Sequence, residues 1–138
     1  PNYVNGDNTH KNRVLIEPWT GRNLKAESVR RRDLQPRERA IKSNAGIAIV
    51  GIIAFGSKAQ KRFARLSKKQ QDAAFWEIAE AVAEKLNTTL TGLVIHLDES
   101  AIHAHFQLVG YDLKGNAISQ ETKKRHTSQL QDLSAGIQ

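Results

Sequence analysis

Three of the chain's five histidines fall within ten residues, in the stretch HLDESAIHAH from His96 to His105. Imidazole nitrogens are good donors to divalent metals, and three of them leave coordination positions open for a substrate, the pattern of a catalytic rather than a closed structural site. Strand parity decides whether they can meet, because side chains alternate between faces along a strand. His103, His105, Gln107 and Val109 then share one face, and Ala104, Phe106 and Leu108 the other. On the preceding strand Val94 and His96 oppose Leu93, Ile95 and Leu97. If each strand turns its more apolar face to a core, the three imidazoles gather on the opposite face. Asp98 and Glu99, between them, are placed to orient an imidazole N–H, add a ligand or act as a base. A His-x-His pair alone is commonly just a surface pair, so the third histidine carries the metal reading. With no cysteine in the chain, disulfide frameworks, iron–sulfur clusters and thiolate zinc sites are excluded.

The elements that must hold these residues follow from patterning. Thr89–Leu97 and His103–Tyr111 read as strands joined by the short loop Asp98–Ile102, a β-hairpin. The run Ala45–Phe55 (AGIAIVGIIAF) has no polar alternation, which predicts a strand at about 47–55 covered on both faces and central in a sheet. It is too short to cross a bilayer. Ser67 opens a capping-box pattern, Ser-Lys-Lys-Gln, ahead of Phe75, Ile78, Ala79, Val82 and Leu86 at helical spacing, with Asn87 as the stop. A turn at Lys114, Gly115 and Asn116 leads to a second, more polar helix from Ser119 to about Leu133. Near the N-terminus, Asn2–Asn12 reads as loop, Val14–Trp19 as a short strand, and Asn23–Lys42 as helical stretches on either side of Pro36. The order β, α, β, β, α predicts an α+β fold, a central antiparallel sheet with helices packed on it, and the 138 residues suit one domain.

Lys and Arg number 21 against 14 Asp and Glu, a formal charge of +7 that favours a polyanionic partner. The surplus lies in two segments. Arg22, Lys25, Arg30, Arg31, Arg32, Arg37, Arg39 and Lys42 form one, and Lys58, Lys61, Arg62, Arg65, Lys68 and Lys69 the other. Such residues attract phosphates and release counterions, giving salt-sensitive, largely sequence-independent nucleic-acid affinity. Trp19 could stack on an unpaired base, whereas Trp76, inside the amphipathic helix, is expected in the core. His126 reads as a surface or DNA-contact residue rather than a fourth ligand.

The segment HLDESAIHAHFQLV resembles the third motif of the Mob/Pre (plasmid recombination enzyme, mobilization-type) relaxases of the HUH endonuclease superfamily: a histidine, any residue, Asp-Glu, a short loop, then His-x-His and an apolar strand. His96, Asp98, Glu99, His103 and His105 match in type and spacing, Ile102 stands where the family often has proline, and the resemblance runs over about residues 45–138. It implies that the three histidines hold Mn²⁺ or Mg²⁺ at the scissile phosphate of single-stranded DNA. A side chain of the protein would displace the 3′-hydroxyl and keep the 5′-phosphate covalently. His10 begins the sequence HKNR, which looks like the His-x-x-Arg motif of this branch; the resemblance makes His10 the nucleophile and Arg13 a phosphate clamp. Tyr111, on the histidine face but about 20 Å along the strand from His105, is too distant, and Tyr3 lacks a recognisable context. Only nine residues precede His10 where the family has a complete strand, so within a single domain over 1–138 the first strand is expected to be very short, missing, or replaced by a differently built part of the sheet.

The resulting expectation is a cytoplasmic enzyme of a prokaryotic mobile element that nicks and rejoins one DNA strand at an origin of transfer, with no membrane partner. The alternatives are an HUH replication initiator or mobile-element nickase and, from a different class, a noncatalytic relaxase-like DNA-binding module.

Overall fold

The computed structural model describes residues 12–36, 46–97 and 101–118. In chain order these form β1 (Arg13–Ile16), α1 (Gly21–Arg32), β2 (Ala48–Ile53), α2 (Ser57–Ala64), α3 (Lys68–Lys85), β3 (Leu90–Leu97) and β4 (Ile102–Val109). The strands make one antiparallel sheet in the order β1-β3-β4-β2, which bears out the α+β expectation. The expected helix from Ser119 to Leu133 lies outside the described residues. So does the Asn2–Asn12 loop, except for Asn12.

The helix after Ser67 forms as its sequence dictates. Gln70 donates its backbone N–H to Ser67 Oγ at 3.1 Å, and Gln70 Oε1 accepts from the Ser67 N–H at 2.9 Å, the reciprocal pair of a capping box. Asn87 ends the helix by taking φ 54°, a left-handed conformation that asparagine tolerates better than most residues. Phe75, Ile78, Ala79, Val82, Ala83 and Leu86 then form a buried stripe against Leu93, Ile95, Ala104, Phe106 and Leu108 of the sheet. Ser67→Ala should cost about 1 kcal/mol, read as a lower urea midpoint with an unchanged slope.

Only one face of this sheet is covered by α3, which corrects the reading of the run Ala45–Phe55. The strand it forms, β2, lies at the edge of the described sheet, paired only to β4. Ile49 and Ile53 enter the core, while Val50 and Ile52, at 75% and 51% exposure, point from the other face. Continuous hydrophobicity reflected a core face plus an exposed apolar face, a distinction that periodicity cannot make. Helix α2 went unforeseen because only Ala59 and Phe63, four residues apart, are buried in it. Phe63 joins Phe55 and Phe75 with ring centroids 4.4 to 5.7 Å apart. Trp76 is also corrected: it is 39% exposed, on the outer side of α3 beside Glu77 and Glu80.

Candidate functional site

Strand register brings the histidines together. His96 on β3 is paired with His103 on β4, and His105 with Val94, so all three imidazoles rise from the face opposite α3 at one end of the hairpin. Ile95, just before His96, and Ala104, between His103 and His105, are fully buried on the helix side. The ring centroids are 4.5 Å apart for His96 and His105, 5.2 Å for His103 and His105, and 5.4 Å for His96 and His103.

These spacings can be compared with what a shared ion requires. A metal–nitrogen bond of about 2.1 Å plus roughly 1.1 Å from nitrogen to ring centre places each centroid about 3.2 Å from the ion, and angles of about 90–110° then separate centroids by roughly 4.5–5.3 Å. The observed triangle has that size. Ring orientation is a separate matter: His96 and His103 are within 14° of parallel, and among the described residues no three His, Cys, Asp or Glu side chains converge on one point. Closure on an ion therefore requires the imidazoles to turn about χ2, a broad torsion. The donor set, all nitrogen and with no thiolate, suits Zn²⁺ and similar divalent ions, and Mn²⁺ would need oxygen ligands in its remaining positions. Asp98, Glu99, His10 and Tyr3 lie outside the described residues, as do Arg37, Arg39, Lys42 and His126.

Arg13, expected as a phosphate clamp, faces the other way. Its pairing with Ile95 puts it on the helix side, where Nε donates to Asp72 Oδ1 at 2.7 Å and Nη2 to Gln71 Oε1 at 3.1 Å. The guanidinium fastens β1 to α3. Tyr111, set aside as too distant, is buried beyond the end of β4, in a bridge with Ala117.

Arg31, expected among the DNA contacts, is 3% exposed. Nε donates to Glu27 at 2.7 Å, Nη1 to the Tyr111 carbonyl at 2.8 Å and Thr88 Oγ1 at 3.0 Å, and Nη2 to Thr89 Oγ1 at 2.6 Å. It ties α1 to the far ends of α3 and β4. The turn below this junction uses Gly115 at φ 91°, and the Asp112 carboxylate accepts the Lys114 and Asn116 N–H groups. Arg30, Arg31 and burial together set the Glu27 carboxyl: hydrogen bonding from Arg30 outweighs desolvation and lowers its pKa from 4.5 to about 2. A depressed carboxyl pKa stabilises the fold above the unfolded-state value, and the contribution is lost as pH falls from about 4.5 towards about 2. Urea titrations across that window should show stability falling with acid, and Glu27→Gln should flatten the dependence.

Of the remaining basic residues, Arg22, Lys25, Arg30, Lys58, Lys61 and Arg62 are exposed, Arg30 in an ion pair with Glu27. Arg32 is half-buried and paired with Asp33.

The fold is thus a four-stranded antiparallel sheet with α3 on one face and the three histidines on the other, at the end away from α1. The solved structures that share it are of the MobM relaxase domain (MOBV; Mob_Pre) bound to origin-of-transfer DNA of plasmid pMV158. A Mn-bound complex with 22-nucleotide DNA at pH 5.5 aligns with TM-score 0.65 and 21% identity, covering 93% of this chain and 68% of that one. A complex with 26-nucleotide DNA aligns with TM-score 0.62 and 22% identity, covering 97% of this chain and 79% of that one. No family model and no curated protein matches the chain. At these identities the likeness is one of fold. Among the described residues no helix is long and apolar enough to cross a membrane.

Proposed function

We propose that the chain is a relaxase domain of the Mob/Pre kind, which cuts one strand of DNA at an origin of transfer and can rejoin it. The observation that carries this reading is the triangle of His96, His103 and His105 on the sheet face opposite α3, in the fold shared with DNA-bound, Mn-bound relaxase domains. These three residues would hold Mn²⁺ or Mg²⁺, which supplies Lewis-acid stabilisation of the negative charge developing on a phosphate. Asp98 and Glu99 follow His96 directly, within reach to fix imidazole tautomers or accept a proton.

His10 is the nucleophile in this reading. β1 starts three residues after it and pairs first with Ile95, beside His96, so the chain enters the sheet at the histidine end. A ring nitrogen of His10 attacks phosphorus, the P–O3′ bond breaks, and the leaving oxygen takes a proton to become a 3′-hydroxyl. The product is a phosphoramidate to the DNA 5′-phosphate. Attack by a 3′-hydroxyl on that bond reverses the step and rejoins the strand without ATP. Arg22, Lys25, Lys58, Lys61 and Arg62 supply positive charge for the backbone, in cis with the site and salt-dependent in effect.

The test is cleavage of end-labelled single strands drawn from a library of transfer-origin sequences. The expected result is Mn²⁺-dependent cutting that leaves one product linked to protein and is abolished by EDTA. Metal-replete protein that cuts no member of the library overturns the reading.

A further inference from the structure

The histidine face continues past the histidines as an apolar strip. Ile52 is paired with His105 and Val50 with Gln107, both exposed, and Val14 is exposed opposite Val94. At the far end of this strip the chain from β1 crosses onto the same face. Gly92, paired with Gln107, permits the crossing, because a Cβ there would stand 2.9 Å from the Pro18 Cα. Trp19 comes next, and its backbone is gripped by one side chain. Gln107 Oε1 accepts the Trp19 N–H at 2.9 Å and also the Thr91 hydroxyl at 2.7 Å, and Gln107 Nε2 donates to the Trp19 carbonyl at 3.3 Å. The Trp19 N–H also reaches the Thr91 carbonyl at 3.2 Å, where the β3–β4 register shifts. The indole carried by this anchored backbone is 37% exposed. Gln107 is two residues from His105 on β4, roughly 7 Å along the strand.

The local charge fits a phosphodiester chain. Thr20 caps α1 directly after Trp19, α1 has no acidic residue in its first turn, and Arg22 and Lys25 are exposed beside it, with Glu17 the acidic neighbour. Resting on the reading of the chain as a single-strand-cutting protein, we infer that Trp19 is a stacking platform for an unpaired base close to the phosphate at the histidines, and that Gln107 is the positioning residue that holds it there. Every base offers a π-face, and an anchored, half-exposed indole beside an apolar floor can use it without reading hydrogen bonds.

The chain has two tryptophans, so Trp76→Phe leaves Trp19 as the sole indole. The probes are an oligothymidylate and an abasic strand of equal length, which share phosphates and differ in bases. Trp19 emission should quench with the oligothymidylate and not with the abasic strand. Trp19→Ala should weaken oligothymidylate binding about 10-fold or more, leave abasic binding unchanged, and be largely rescued by Trp19→Phe. Gln107→Ala should reduce the quenching and selectively weaken the base-bearing strand, a discrimination that a purely structural role would not alter. Oligothymidylate binding with normal affinity to Trp19→Ala, or saturation without quenching, overturns the inference and leaves the DNA-cutting reading standing. An indole already inaccessible to acrylamide in the free protein overturns it in favour of cover by the chain itself. Failure to bind either strand overturns the inference, whereas the DNA-cutting reading stands or falls on the transfer-origin library.

Discussion

His105→Ala should reduce Mn²⁺-dependent strand cleavage by about 10²–10³-fold or more while leaving the fold intact. His105 is one of three imidazoles whose spacing fits a shared ion, and electrostatic stabilisation of developing phosphate charge is commonly the largest single contribution in such chemistry. The side chain projects from the exposed face, so unfolding free energy should move by no more than about 0.5 kcal/mol. His96→Ala and His103→Ala should behave alike, and the double variant should be little worse than either single one, because residues acting as a unit are not additive. Gel assays under Mn²⁺ with parallel urea titrations separate the two effects. Cleavage within a few-fold of the parent in all three variants would remove the histidines from the chemistry.

Arg31→Met should do the opposite: destabilise strongly and leave the electrostatics of DNA binding nearly unchanged. The guanidinium is buried and holds Glu27, Thr88, Thr89 and the Tyr111 carbonyl at once, so its removal takes one of two arginine partners from Glu27 and the guanidinium donor from three further oxygens. Breaking such a buried pair costs about 3–5 kcal/mol. Denaturant unfolding should show that loss, whereas the slope of log affinity for single-stranded DNA against log salt should match the parent wherever the variant is folded. Arg22→Ala is the counterpart: stability within about 0.5 kcal/mol, with weaker binding and a salt slope smaller by about 1. A shallow salt slope in Arg31→Met with full stability would return Arg31 to the DNA surface.

What could be read from sequence was local or periodic. Two-residue alternation through Val94, His96, His103 and His105 placed the imidazoles on one face, and the hairpin's short loop supplied the pairing that joins them. The capping box at Ser67 and the stop at Asn87 fixed the long helix. The position of Trp76 was also available, since a residue next to Phe75 lies about 100° from the stripe through Ile78, Ala79 and Val82. Other features depend on partners remote in the chain. Arg31 sits in a basic run that reads as surface, and its acceptors at Thr88, Thr89 and Tyr111 have no local signature. The facing of Arg13 follows only once β1 is registered against Ile95. The grip of Gln107 on Trp19 spans 88 residues of sequence, and the exposed Val50 and Ile52 resemble core residues until their side of the sheet is known.

The most direct test of the whole account is mass spectrometry of the protein after incubation with Mn²⁺ and a single-stranded transfer-origin oligonucleotide. A peptide containing His10 should carry the DNA 5′-phosphate through an acid-labile phosphoramidate and be absent from EDTA-treated and His10→Ala samples. DNA cut with no protein-linked product, or a covalent link to a peptide lacking His10, would contradict it.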